Sequence, residues 1–157
     1  MPRSYRDRSY RAPKVRTLEA DKASMFEWKP EYAVGIASVD AQHQKLFVIA
    51  RELYEAMSAG RGRASLALIL DRLVQYTTVH FAHEERLMRV YYYPDFQKHK
   101  AQHDALTKQV LDFQKEFESG RLAMTVQLLQ FLKDWLENHI MVSDFEYAPC
   151  LKQKNVA

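Results

Sequence analysis

Cysteine is almost missing from this chain: Cys150 is the only one in 157 residues. An internal disulfide is therefore excluded, and with it a small cross-linked secreted scaffold. A reducing compartment, the cytoplasm, is the expected home. Glycine and proline are scarce as well, at four and five residues. Few tight turns are available, so long regular elements are expected. Long apolar runs are missing too. Stretches such as Leu46 to Ala50 and Leu66 to Leu70 stop at five residues, whereas a membrane-spanning helix needs roughly 20. No transmembrane segment is expected. The first residues contain no apolar h-region, so no secretory signal is expected either.

What the chain does have is apolar content, 47% of residues, enough for one domain with its own core. Its net charge of +3 hides an uneven distribution. Residues 1–16 hold Arg3, Arg6, Arg8, Arg11, Lys14 and Arg16 against Asp7, which gives +5 and leaves −2 for the rest. The basic pI therefore belongs to the first segment, and the domain is not expected to bind nucleic acid. Residues 1–24 lack apolar periodicity and read as a basic, mobile tail able to contact an anionic partner. Residues 25–157 read as the folded domain. It opens with an irregular lead-in from Met25 to Val39, rich in bulky apolar groups.

Four segments then repeat apolar residues at steps of three and four, the period of a helix with one buried face. The first spans about Val39 to Ser58, with the stripe Leu46, Ala50, Leu53, Met57. Ser38 or Asp40 is placed to cap it, and Gly60 and Gly62 end it. The second spans about Ala64 to Val90, with Leu66, Leu70, Leu73, Thr77 and Leu87 in line. Pro94 suits the first helical position of the third, whose stripe is Leu106, Val110, Phe113, Phe117 before Gly120. The fourth runs from about Leu122 to the early 140s through Leu128 or Leu129, Leu132 and Leu136. Helices of this length on short loops predict an all-α fold, an up-down-up-down antiparallel four-helix bundle.

Each stripe, continued by a step, reaches a side chain that can hold a metal. His43 lies three residues before Leu46, and His80 and Glu84 fall between Thr77 and Leu87. His99 and His103 precede Leu106, and His139 follows Leu136 by three. Five of the six histidines thus point inward, where unpartnered polar rings are costly. Residues four apart share a helix face, so His80 with Glu84, and His99 with His103, can address one point. Asp144 is five residues past His139, about 140° around an ideal α-helix. For Asp144 to join, the helix must widen there, or end so that Asp144 enters from the next segment. Imidazole and carboxylate donors without thiolate suit iron better than magnesium, calcium or structural zinc.

The sequence resembles the hemerythrin family, in its single-domain bacterial form, from about Trp28 to Tyr147. The resemblance rests on Val-Gly-Ile-Ala-Ser-Val-Asp-Ala-Gln-His at 34–43 and His-Phe-Ala-His-Glu-Glu at 80–85. It continues in Tyr-Pro-Asp-Phe-Gln-Lys-His-Lys-Ala-Gln-His at 93–103 and Trp-Leu-Glu-Asn-His-Ile-Met-Val-Ser-Asp at 135–144. It implies two non-haem iron ions, one held by His99, His103 and His139 and the other by His43 and His80. Glu84, Asp144 and a solvent-derived oxygen would bridge them. The second iron would keep an open position for dioxygen, walled by Leu46, Phe81, Trp135, Leu136 and Ile140. The implied function is reversible dioxygen binding for storage, delivery or sensing, not catalysis, with an unidentified electron donor as a further partner. The alternative is a di-iron enzyme handling peroxide or nitric oxide at the same site, with Tyr76 or His83 near its rim. His83 departs from the ligand pattern and reads as a rim or surface residue. The segment after Asp144 lacks the lysine often found there, which leaves its docking open.

Overall fold

The computed structural model describes residues 24–156, so the expected basic tail, apart from Ser24, lies outside the described residues. Four long helices follow the lead-in: α1 (Ala37–Ser58), α2 (Arg63–Val90), α3 (Phe96–Glu118) and α4 (Val126–Asn138). The chain continues from α4 through one wide π-helical turn, His139–Asp144, into a short α5 (Phe145–Lys152). The described residues contain no strand, and the helices form the expected bundle. None of them is long and apolar enough to cross a membrane.

The stripes are the core. Leu46, Ala50 and Leu53 of α1, Leu66, Leu70, Leu73, Thr77 and Leu87 of α2, and Val110, Phe113 and Phe117 of α3 are buried. Leu129, Leu132 and Leu136 supply the α4 side. Leu106 and Met57, expected in the stripes, are half-buried. Leu106 lines a cleft of about 510 Å³ between α3 and α4, together with Phe131, Trp135, His139 and Val142.

Helix boundaries differ from the expectation in ways the hydrogen bonds explain. Neither Ser38 nor Asp40 caps α1, whose N-cap is Ile36. Asp40 reaches backwards instead and accepts the backbone N–H of Val34 (2.7 Å) and of Gly35 (3.1 Å), clamping the lead-in to the helix. Gly60, at φ 68°, ends α1 in a Schellman turn, with Arg61 N–H donating to Ala56 C=O at 3.0 Å. α2 ends the same way without a glycine. Tyr92 takes φ 55° and Tyr93 N–H donates to Met88 C=O at 2.8 Å. That turn carries the chain past Pro94, which lies before α3 rather than at its first position; Asp95 is the N-cap. Likewise α4 begins at Val126 rather than Leu122. Leu122 N–H is used to close the end of α3 on Glu116 C=O, and Thr125 Oγ1 accepts the N–H of Leu128 at 3.3 Å as the true N-cap.

The segment after Asp144 docks firmly. Tyr147, Ala148 and Leu151 of α5 are buried, and Lys152 Nζ donates to Val34 C=O of the lead-in at 3.3 Å. Lead-in and α5 thereby close the same end of the bundle, the end where the histidine lines converge.

Candidate metal centre

Each helix delivers its metal-capable side chains at the same depth. His43 comes from α1, His80 and Glu84 from α2, and His99 and His103 from α3. His139 and Asp144 open and close the π-helical turn. In that wider winding, hydrogen bonds run from i to i+5, so residues five apart face the same way. This is the widened helix that Asp144 requires, and His139 Nε2 lies 3.1 Å from its Oδ1. All seven expected residues meet, and none is more than 5% exposed.

The atoms sort into two overlapping groups. His99, His103, His139, Glu84 and Asp144 each offer one atom within 4.8 Å of the others, and so do His43, His80, Glu84 and Asp144. The carboxylates are common to both. Glu84 Oε2 is 3.2 Å from His103 Nε2 and 3.4 Å from His80 Nε2, while Asp144 reaches His99 Nε2 at 3.3 Å and His43 Nε2 at 3.1 Å. Three histidines stand on one side and two on the other.

These contacts leave the groups unsatisfied. Both nitrogens of His43, Nε2 of His80, Oε2 of Glu84 and both Asp144 oxygens are buried without a hydrogen-bond partner. His103 Nε2 lies 3.0 Å from His99 Nε2 and 3.1 Å from His139 Nε2. Ring nitrogens so close repel unless a proton or a cation lies between them. Orphaned acceptors in a dry cavity cost kilocalories each, and cations remove that cost. The residues present fit a pair of first-row transition ions held by nitrogen and oxygen.

The electrostatics agree. Burial pulls His43 down, but Asp144 and Glu84 outweigh it and raise the imidazole to about 9. His139 is likewise raised to about 10 against burial, by Asp144 and then Glu84. Burial dominates at His80 and lowers it to about 4. Burial would raise Glu84 and Asp144, yet the surrounding imidazoles hold both below the usual carboxylate range. Without metal, then, the two acids recruit protons onto histidines, and those protons must leave when a cation enters.

The expected pocket residues Leu46, Phe81, Trp135, Leu136 and Ile140 are all buried. Phe81 stacks on His103 with ring centroids 3.9 Å apart and planes at 7°, and meets His139 edge-on at 5.1 Å. Trp135 packs against Phe81 with ring centroids 6.2 Å apart. His83 stays outside the cluster, half-buried, with Nε2 3.0 Å from Ser38 Oγ.

Three residues at the site went unnoticed in the sequence. Tyr147 Oη donates to Glu84 Oε1 at 2.6 Å. Gln42 Oε1 lies 2.9 Å from His80 Nδ1, and Glu85 Oε1 lies 3.1 Å from His103 Nδ1. Gln42 and Glu85 each adjoin a cluster residue in sequence, but a neighbouring position turns about 100° away on a helix, so each serves a histidine of another helix.

The chain matches the Hemerythrin HHE cation binding domain over residues 34–151. It belongs to the hemerythrin family. It is 36% identical over 121 residues to a bacteriohemerythrin of Methylococcus capsulatus, covering 77% of this chain and 92% of that protein. A bacteriohemerythrin of Stenotrophomonas maltophilia is 32% identical over 129 residues, covering 82% of this chain and 83% of the relative. A crystal structure of wild-type hemerythrin superposes with a TM-score of 0.74 at 35% identity, over 79% of this chain and 95% of that one. The hemerythrin match begins at the Val34 clamped by Asp40 and ends at Leu151 in α5, so it includes both the lead-in closure and the π-helical turn.

Proposed function

We propose that this hemerythrin-family protein binds dioxygen reversibly at a non-haem di-iron centre within residues 25–157. In this reading His99, His103 and His139 hold one iron, His43 and His80 hold the other, and Glu84 and Asp144 bridge them. The observation that carries it is the unequal sharing of donors. Two groups of buried atoms use the same two carboxylates, but one contains three histidines and the other two. With equal coordination numbers, the two-histidine iron is left with a position for a small molecule. Two ferrous ions supply, when bound, the two electrons that hold dioxygen reversibly.

The protein's own part is placement and exclusion. Glu84 is fixed by the Tyr147 hydroxyl, and His80 and His103 by Gln42 and Glu85. Leu46, Phe81, Trp135, Leu136 and Ile140 form a dry wall that keeps water and protons from the bound gas. Binding is favoured over turnover because five neutral imidazoles replace the carboxylates that stabilise high-valent iron in oxidising bundles. Beyond the seven cluster residues, the buried residues with a hydroxyl among the described residues are Thr77, Ser143, Tyr32, Tyr93 and Tyr147. Thr77 and Ser143 do not titrate near neutral pH, and burial pushes the three tyrosine hydroxyls further up from their ordinary value, so none is poised as a general acid or base.

An external electron donor would return oxidised iron to the ferrous state. The basic residues 1–24 would contact an anionic partner. With Cys150 as its single thiol, we place the protein in the cytoplasm. Purified full-length protein loaded anaerobically with ferrous salt is expected to hold about two irons per chain. A visible charge-transfer band should appear in air and disappear under vacuum. Immediate, irreversible oxidation without that band would contradict the reading.

A further inference from the structure

Two of the five clustered histidines have an acceptor on the ring nitrogen that faces away from the cluster. His80 Nδ1 is 2.9 Å from the Gln42 carboxamide oxygen, and His103 Nδ1 is 3.1 Å from a Glu85 carboxylate oxygen. The corresponding nitrogens of His43, His99 and His139 are buried without a partner. Both acceptor oxygens can only accept, so Nδ1 of His80 and of His103 carries the proton. Nε2 of each ring then presents a lone pair to the cluster.

The two anchors are divided between the two halves of the site. His80 belongs to the two-histidine group and His103 to the three-histidine group. They also differ in charge, because Gln42 is a neutral amide and Glu85 an acid whose side chain is 15% exposed to solvent. A carboxylate draws the Nδ1 proton more strongly than an amide does, so the ring it holds becomes the stronger electron donor at Nε2. A stronger donor stabilises the more oxidised state of the metal it ligates.

We infer that Glu85 and Gln42 are positioning residues that set the potentials of the two irons apart. Glu85, acting through His103, lowers the potential of the three-histidine iron relative to what the neutral Gln42 does through His80. The inference rests on the di-iron reading of the site. On one-electron oxidation by ferricyanide, the electron lost by the three-histidine iron reduces ferricyanide to ferrocyanide, and Glu85 favours that loss. The two-histidine iron, where the proposed reading leaves the open position, would have only the weaker, neutral acceptor of Gln42 behind its histidine.

The test uses the iron-loaded full chain, titrated with ferricyanide and dithionite, with Mössbauer spectra of half-oxidised samples to resolve the two irons. Glu85→Gln keeps an acceptor of the same shape. It is expected to lower the oxidised-to-reduced ratio of the three-histidine iron about tenfold at a fixed potential, which is 59 mV for one electron. Gln42→Glu is expected to raise that ratio at the other iron by a similar factor. The double variant should move the two ratios in opposite directions, which loss of packing alone would not do. If Glu85→Gln fails to retain iron, Gln42→Glu decides alone. Ratios unchanged within about twofold in variants holding wild-type iron would overturn the inference. A wild-type chain that takes up no iron would instead sink the di-iron reading itself.

Discussion

Replacing His139 with alanine should reduce iron from about two per chain to about one or fewer, and abolish the visible band formed in air. His139 sits 3.1 Å from both Asp144 Oδ1 and His103 Nε2, so its removal takes one of the three nitrogens from its group and unpairs a shared carboxylate. The loss extends to folding. Metal that binds only the folded state adds about 4 kcal/mol of stability when free metal is 1,000 times its dissociation constant. The variant should therefore gain clearly less thermal stability from added iron than the wild type does. Elemental analysis and thermal melts with and without ferrous salt check both parts. Wild-type iron content in the variant would mean the histidine is not a ligand.

The second large effect is expected from the wall rather than the ligands. Phe81 is 4% exposed and lies flat on His103 at 3.9 Å. Truncation to alanine should cost about 3–5 kcal/mol of stability through the cavity it leaves. Iron should stay bound, since no ligand is lost. The oxygenated form should decay faster by about tenfold, equivalent to about 1.4 kcal/mol off the barrier, because water and protons reach the site through the gap. Phe81→Leu, which refills most of the volume, should recover most of the lifetime. The decay of the visible band in air measures this directly. An unchanged lifetime in a variant that shows the expected drop in stability would remove Phe81 from the dry wall.

The bundle was legible because an α-helix repeats every 3.6 residues and a buried face must be apolar along its length. The same rule put His43, His80, Glu84, His99 and His103 on inward lines, and all five are buried. Asp144 could be placed only conditionally. The extra winding between His139 and Asp144 leaves no mark in the apolar pattern, which fits a helix that ends there equally well. Helix starts were less readable than helix faces. Leu122 is spent closing the preceding helix, as are the left-handed Tyr92 and Gly120, while Pro94 lies in the loop just past such a turn; these turns are set by hydrogen bonds across the loop. The docking of α5 depends on Tyr147 and Leu151 finding space between helices distant in sequence. Gln42, Glu85 and Tyr147 were invisible for the same reason. Each acts on a side chain of another helix, 38, 18 and 63 residues away in sequence, and helix rotation decides such pairs rather than spacing.

In the proposed reading, a pair of irons with a single open position, on the two-histidine iron, takes up one small gas molecule. Gasometric titration of the anaerobically reduced, iron-loaded protein tests it most directly. Uptake should saturate at about one dioxygen per two irons, and the gas should be recovered under vacuum with the iron still ferrous. Consumption of dioxygen without recovery, or uptake unrelated to iron content, would contradict the account.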